Sequence, residues 1–301
     1  MNTKQKWQSL IPQYRQLVEQ YHINDSSWRQ YTTPFWEQQC DRIFQLIYPN
    51  PPFNFLSLPE IQHTMFVNAW GKWADVQLEK IKTKNEIKFE KEPNVGMPIK
   101  NPEYGFSHND LHHTYHWWYY LNYTNPSLQY KMYYHFIELG GGYGNMARKL
   151  YNGGWCDKYT IIDLPIFCAL QWLYLKCTIQ GSNEIFFDDK CLFGGNIGIE
   201  ILPINRVSDT KWNCDLFMSL WSLSEANQKT LDLVTNANWF GANNLFLSFQ
   251  NKSSDMPHAE QLGFLATECG YNVEIEETEY IPNNYYLIGF SQNNGKNNTH
   301  T

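Results

Sequence analysis

The chain has 301 residues, enough for one large domain or for a catalytic domain with an appendage. Hydrophobic residues make up 43% and charged residues 18%, which supports a packed core and argues against wholesale disorder. The net charge of −7 argues against a general nucleic-acid binder, which needs a basic face for phosphates. The one lysine-dense stretch, 80–91, is interrupted by Glu86 and Glu90 and reads as solvated. Seven cysteines, an odd number without a C-x-x-C pair, give little support to a disulfide framework or a zinc site. No metal is therefore expected. The N-terminus lacks the apolar core of a signal peptide, and no apolar run nears the roughly 20 residues that span a bilayer. The expectation is a reduced, cytoplasmic protein that does not insert into membranes.

In chain order, the first segment is helical. Trp7, Leu10, Ile11, Tyr14, Leu17, Val18 and Tyr21 recur at spacings of three and four, one face of a helix. Further helices are predicted near 35–47 and 58–81, broken by Pro49, Pro51 and Pro52. Residues 82–107, polar and rich in proline and glycine, read as a loop or lid. A helix then opens at His108 and runs to about Tyr123. From about residue 133 short apolar runs alternate with helical patterns. Strands are predicted at 135–139, 159–162, 184–187, 214–220 and 245–250. Helices are predicted between them at 146–151, 166–179, 225–236 and 257–269. This alternation is the signature of a doubly wound, mostly parallel α/β sheet. Two last strands, near 273–279 and 285–290, read as an edge hairpin. The expected division is a helical N-terminal region over 1–128, serving as lid, substrate surface or dimer surface, an α/β domain over 129–292, and a flexible tail over 293–301.

The strand ending in Glu138-Leu139 runs into Gly140, Gly141, Gly142, Tyr143 and Gly144, with a helix directly after. Glycines are needed where the chain turns sharply and the backbone must approach a ligand. Such a loop alone says only that something nucleotide-like approaches the backbone. Glu138 narrows this, because a carboxylate there repels a pyrophosphate and suits an ammonium. The next strand ends at Asp163, 19 residues after Gly144, where an acid can accept hydrogen bonds from ribose hydroxyls. The loop holds no Lys or Arg to neutralise phosphates, and no Walker pattern occurs.

Glu-Leu-Gly-Gly-Gly-Tyr-Gly followed by Ile-Ile-Asp-Leu-Pro resembles the class I S-adenosylmethionine-dependent methyltransferases over about residues 130–292. Within that superfamily it is most similar to the sugar O-methyltransferases of bacterial and viral polysaccharide pathways. The resemblance implies a Rossmann-like sheet of seven strands and S-adenosyl-L-methionine as cofactor. It places Glu138, Gly140 and Gly142 at the methionine end, Asp163 at the ribose and Leu164 near the adenine. Asp188 or Asp189 would lie by the adenine amino group, and Ser219 would border the cofactor at the end of the strand 214–220. The long segment 191–206 departs from the superfamily pattern and leaves the adenine contact open.

Ligands of a doubly wound sheet gather beyond the carboxyl ends of its strands. Glu225 is thus placed near the transferred methyl group as a general base, and Trp221 could wall the site. Ser224-Glu225 reads equally as a helix N-cap with a first-turn acid. His108, His112 and His116, spaced four apart, would share a helix face that could place a base, bind a metal or line a surface. His108 and His112 are the catalytic candidates there. His113 and Tyr143 are candidates for acceptor contact. Trp117, Trp118, Tyr119 and Tyr120 read mainly as core. The expected activity is O-methylation of a sugar hydroxyl on a small-molecule, glycan or nucleotide-sugar acceptor, with no nucleic-acid partner. Self-association could run through the N-terminal helices. The alternatives are an NAD-dependent oxidoreductase, disfavoured by the missing G-x-G-x-x-G, and a non-catalytic S-adenosylmethionine-binding module.

Overall fold

The computed structural model of the chain describes residues 2–65, 72–82, 91–124, 133–179, 185–188, 197–207, 211–251 and 261–292. Helix α1, Thr3–Val18, starts at a capping box between Asn2 and Gln5 and buries Trp7, Tyr14 and Val18. Helix α2, Pro34–Ile47, is capped by Thr33 with Pro34 in the first turn, where a missing N–H costs nothing. Helices α3, Pro59–Met65, and α4, Lys72–Lys82, follow. Helix α5, His108–Thr124, buries residues around most of its circumference, so it is an internal helix rather than an amphipathic surface one. It packs on α4 and on α6, Asn145–Asn152.

Eight strands form one sheet. They are β1 Tyr133–Leu139, β2 Cys156–Asp163, β3 Ile185–Phe187, β4 Gly198–Pro203, β5 Cys214–Leu220, β6 Ala242–Gln250, β7 Tyr271–Glu277 and β8 Asn284–Ser291. Their order is β3-β4-β2-β1-β5-β6-β8-β7, with the first six mutually parallel and β8 running antiparallel to both its neighbours, β6 and β7. Nearly every residue of β2 is buried, as a parallel strand covered on both faces requires. Helix α7, Pro165–Thr178, follows β2, buries eleven consecutive residues from Pro165 to Leu175, and supports α1 on its outer side. Helices α8, Gln228–Asn236, and α9, Leu262–Glu268, complete the α/β alternation. The outermost strand, β7, carries Glu274, Glu276 and Glu277, charges that discourage edge-to-edge pairing.

The doubly wound class expected from the sequence is the one observed, with two corrections. The sheet has eight strands, not seven. Strand β4 lies inside the segment 191–206 that departs from the superfamily pattern, and it, not β3, pairs with β2. The six residues of β4 are all buried, so its identity is set by burial between β2 and β3 rather than by alternation. The cap expected at Ser224 is also corrected. Helix α8 starts later, and the side chain of Asn227 accepts from Thr230 N at 3.0 Å. Parts of the expected helices 58–81 and 257–269, Asp189, and the tail 293–301 lie outside the described residues. No described helix is long and apolar enough to cross a membrane.

Candidate functional site

The chain leaves β1 toward β2 on one side, and β5 toward β6 on the other. Their adjacent carboxyl ends form a topological switch point, where the loops diverge and open a crevice. A cavity of about 500 Å³ lies there. Its floor is Glu138 to Tyr143, Ile162 to Leu164 and Leu220 to Ser222, and one wall is Asn109, His112, His113 and His116 of α5. The opposite wall comes from the N-terminal region, with Tyr31, Phe35, Trp36, Gln39 and Trp73. The helical region expected over 1–128 therefore contributes directly to the cavity.

The glycine loop is needed for close approach. Gly140 has φ +79° and sits so near β5 that an added Cβ would fall 2.2 Å from Cβ of Ser222. Ser222 Oγ donates to Leu139 O, locking the loop to the turn after β5. Gly142, at φ +58°, faces open space, so backbone conformation and not crowding selects glycine there.

Two carboxyls flank the loop. Glu138 is 3% exposed and accepts a hydrogen bond from Tyr159 Oη at 2.9 Å. Burial, aided by the charge of Asp163, pushes its carboxyl up to about 7. Asp163 accepts from Leu164 N at 2.7 Å and from Gln171 Nε2 at 2.6 Å. Burial also raises this carboxyl to about 7, against the opposing pull of those donors and of the Gly141 and Gly142 backbone. Gln171 Nε2 also reaches Gly142 O at 3.0 Å, so one amide ties the acid to the loop. Tyr159 and Gln171 are site residues that sequence reading missed. Both sit in apolar runs, where a polar residue facing one carboxyl leaves no local pattern.

A third acid faces the cavity from the turn after β5. Glu225 Oε2 accepts from Trp36 Nε1 at 3.1 Å, and burial pushes this carboxyl up to about 7. Trp221 adopts φ +69°, rare for a bulky residue. It is held there by Trp221 N donating to Ser248 O at 2.8 Å and by Nε1 donating to Asn284 Oδ1 at 2.7 Å. Its ring stacks on His112 with centroids 5.3 Å apart.

The three histidines spaced four apart divide. His108 is off the cavity wall, beside Tyr104 and Asp75. His112 and His116 line the cavity, but their ring nitrogens are engaged within the protein. Gln77 Nε2 lies 2.7 Å from His112 Nδ1, and the two Nε2 atoms are 2.9 Å apart. His116 Nδ1 is 2.6 Å from Tyr286 Oη, which is 2.8 Å from Tyr280 Oη. Burial lowers both imidazoles well below their ordinary range, so they are neutral. This geometry leaves no ring nitrogen of His112 for an acceptor proton. Among the described residues no group of three or more His, Cys, Asp or Glu is placed to hold a metal.

Other expected residues are placed as follows. Gly140, Gly142, Leu164, Trp221, His113 and Tyr143 line the cavity. Ser219 lies beneath it, 2.8 Å from Ser222 Oγ and accepting from Leu223 N. Asp188 is off the wall; its side chain faces Arg206, 3.9 Å away, and Tyr21. Because β4 intervenes between β3 and β2, the residue that reaches the cavity from this side is Ile204, just after β4. Trp117 and Tyr120 are core, as expected of that aromatic run.

No protein-family model matches the sequence, and no curated protein matches it. Solved structures with a similar fold include the methyltransferase domain of bacterial CtHen1, at 11% identity over 56% of this chain and 96% of that chain, with a TM-score of 0.40. Another is M. capricolum TrmK in complex with S-adenosyl-homocysteine, at 12% identity over 53% and 62%, with a TM-score of 0.36. A third is magnesium protoporphyrin IX methyltransferase from Synechocystis PCC 6803 with bound SAM, at 11% over 52% and 69%, with a TM-score of 0.36. At such identities and scores, the chemistry of this chain is read from its own cavity.

Proposed function

We propose that the chain transfers the methyl group of S-adenosyl-L-methionine to a hydroxyl oxygen of a small acceptor, with a sugar hydroxyl as the leading candidate. The observation that carries the reading is the placement of Glu138 and Asp163. Both are buried, both border one cavity, and they flank a glycine loop with no basic residue. A carboxylate at the loop suits the ammonium of a methionine moiety, and a second at the end of β2 suits a ribose diol. A nucleotide pyrophosphate would meet Glu138 with like charge. Gly140 and Gly142 let the backbone approach the methionine end, Leu164 and Ile204 offer apolar surface to the adenine, and Ser219 sets the turn below.

The bound cofactor supplies an electrophilic methyl group. The protein positions the acceptor oxygen and removes its proton. Glu225 is the cavity carboxylate beyond β5, and its raised pKa makes it a usable base near neutral pH. His112 is disfavoured in that role by its engaged nitrogens. Trp221, Trp36 and Phe35 offer flat apolar faces that suit the C–H surface of a sugar ring. The resemblance of the sequence to sugar O-methyltransferases supports this acceptor class over others.

The test is S-adenosyl-homocysteine formation against a panel of free and nucleotide-linked sugars. Turnover with at least one is expected, and Glu225→Gln should lower kcat by roughly 10²- to 10⁴-fold while leaving cofactor affinity intact. Full activity in that variant would remove Glu225 as the base. Cofactor binding without turnover on any hydroxylated acceptor would instead leave a binding module.

A further inference from the structure

His113 is a cavity-lining imidazole whose tautomer the surrounding hydrogen bonds fix. Its Nδ1 lies 3.1 Å from Asn145 Nδ2. The Asn145 amide has one possible orientation. Its Oδ1 accepts from Arg148 Nε at 3.0 Å, a group that only donates. Its Nδ2 donates to Asp110 Oδ1 at 3.1 Å. Asp110 is ionised: burial pushes its carboxyl up, but Lys149 Nζ at 2.9 Å and Arg148 Nη2 at 3.0 Å outweigh this and hold it below the usual range. Nδ1 of His113 must therefore accept. Burial also keeps the ring neutral, with its pKa lowered to about 4. The single ring proton is then on Nε2, and His113 presents a donor to the cavity, not a base.

The position of this donor selects its partner. The His113 ring lies 6.5 Å from that of Tyr143 in the glycine loop, and it lines the same cavity as Glu138 at the start of that loop. Of the neighbouring side-chain donors, Asn109 Nδ2 places one N–H on Tyr143 Oη and Ser222 Oγ donates to Leu139 O. The carboxylate of an amino acid shares a carbon with its ammonium, so a pocket that takes the ammonium at Glu138 must also take the carboxylate close by. We propose that His113 binds the carboxylate of the cofactor's methionine end through Nε2–H, with Asn145 as the residue that sets its tautomer; this rests on the cofactor reading above.

The test uses the full chain, ¹⁵N-labelled for imidazole shifts and titrated calorimetrically with S-adenosyl-homocysteine and with 5′-methylthioadenosine, which lacks the amino-acid end. The shifts of the wild type are expected to show Nε2 protonated and Nδ1 unprotonated. His113→Phe is expected to weaken S-adenosyl-homocysteine roughly 10- to 100-fold, the range for a hydrogen bond to a charged group, and to leave methylthioadenosine within about twofold. His113→Gln, which keeps an N–H donor, is expected to recover part of the loss. Equal effects on both ligands, no effect on either, or a proton on Nδ1 overturns the proposal. A wild type that binds neither ligand fails earlier, at the cofactor reading itself.

Discussion

The indole Nε1 of Trp36 in α2 donates to Glu225 Oε2 at 3.1 Å, joining residues 189 apart in sequence that line one cavity. That bond favours the ionised acid and opposes the burial that raises its pKa. Trp36→Phe keeps the apolar wall and removes the donor. The acid limb of the pH–rate profile is expected to move upward by up to about one pH unit, with turnover at high pH largely retained. An unshifted limb would mean that Glu225 does not set it.

Cofactor binding should release protons. The Glu138 carboxyl, raised to about 7 by burial, is partly protonated near neutral pH without a ligand. An ammonium beside it favours the carboxylate and lowers that pKa. Calorimetric titrations at pH 6.5 in buffers of different ionisation enthalpy should therefore show net proton release. Glu138→Gln should reduce the release to the part that Asp163 supplies on meeting the ribose, and weaken binding by roughly 10-fold or more.

The contribution of Glu138 and Asp163 to stability without ligand should fall as pH rises from about 4.5 to 7.5, against the opposite trend of the buried neutral histidines, whose folded-state pKa values are lowered. Glu138 and Asp163 each have a folded-state pKa above the ordinary unfolded value, so the folded chain binds more protons in that window. Their destabilising effect is absent below the unfolded pKa and complete above the folded one. The difference in denaturant midpoint between Glu138→Gln and the wild type, measured at pH 4.5 and 7.5, isolates the sign of the Glu138 contribution. Glu138→Gln should raise unfolding free energy at pH 7.5 by on the order of 1–3 kcal/mol and change it little at pH 4.5.

Gly140→Ala should be severe although it adds one methyl group. It combines a left-handed φ of +79° with a Cβ placed 2.2 Å from Ser222 Cβ. A loss of roughly 2 kcal/mol or more in thermal or denaturant unfolding is expected, together with loss of cofactor binding. Gly142→Ala, where the space is open, should cost only the backbone strain.

The sheet was legible wherever a strand carried its own signal. Strand β5 has the bounds expected from its apolar run, 214–220, and the glycine loop marks the turn from β1 into α6. Strand β4 was not legible, because its Gly-Ile-Glu-Ile-Leu-Pro run is short, opens on glycine and carries a buried acid, Glu200. In the cavity, residues adjacent to strand ends could be named from the chain alone, since the fold sends those ends to one place. Trp36, Gln171 and Asn145 could not, because each acts on an acid, loop or imidazole through space. Helical spacing grouped His108 with His112 and His116, yet the tertiary partners Gln77 and Tyr286 decide what those rings can do.

The central claim is tested most directly by calorimetric titration of the full chain with S-adenosylmethionine and, in parallel, with NAD. Saturable binding of S-adenosylmethionine, weakened at least tenfold by Asp163→Ala, with no response to NAD, is the expected result. Tight binding of NAD with no response to S-adenosylmethionine would contradict it.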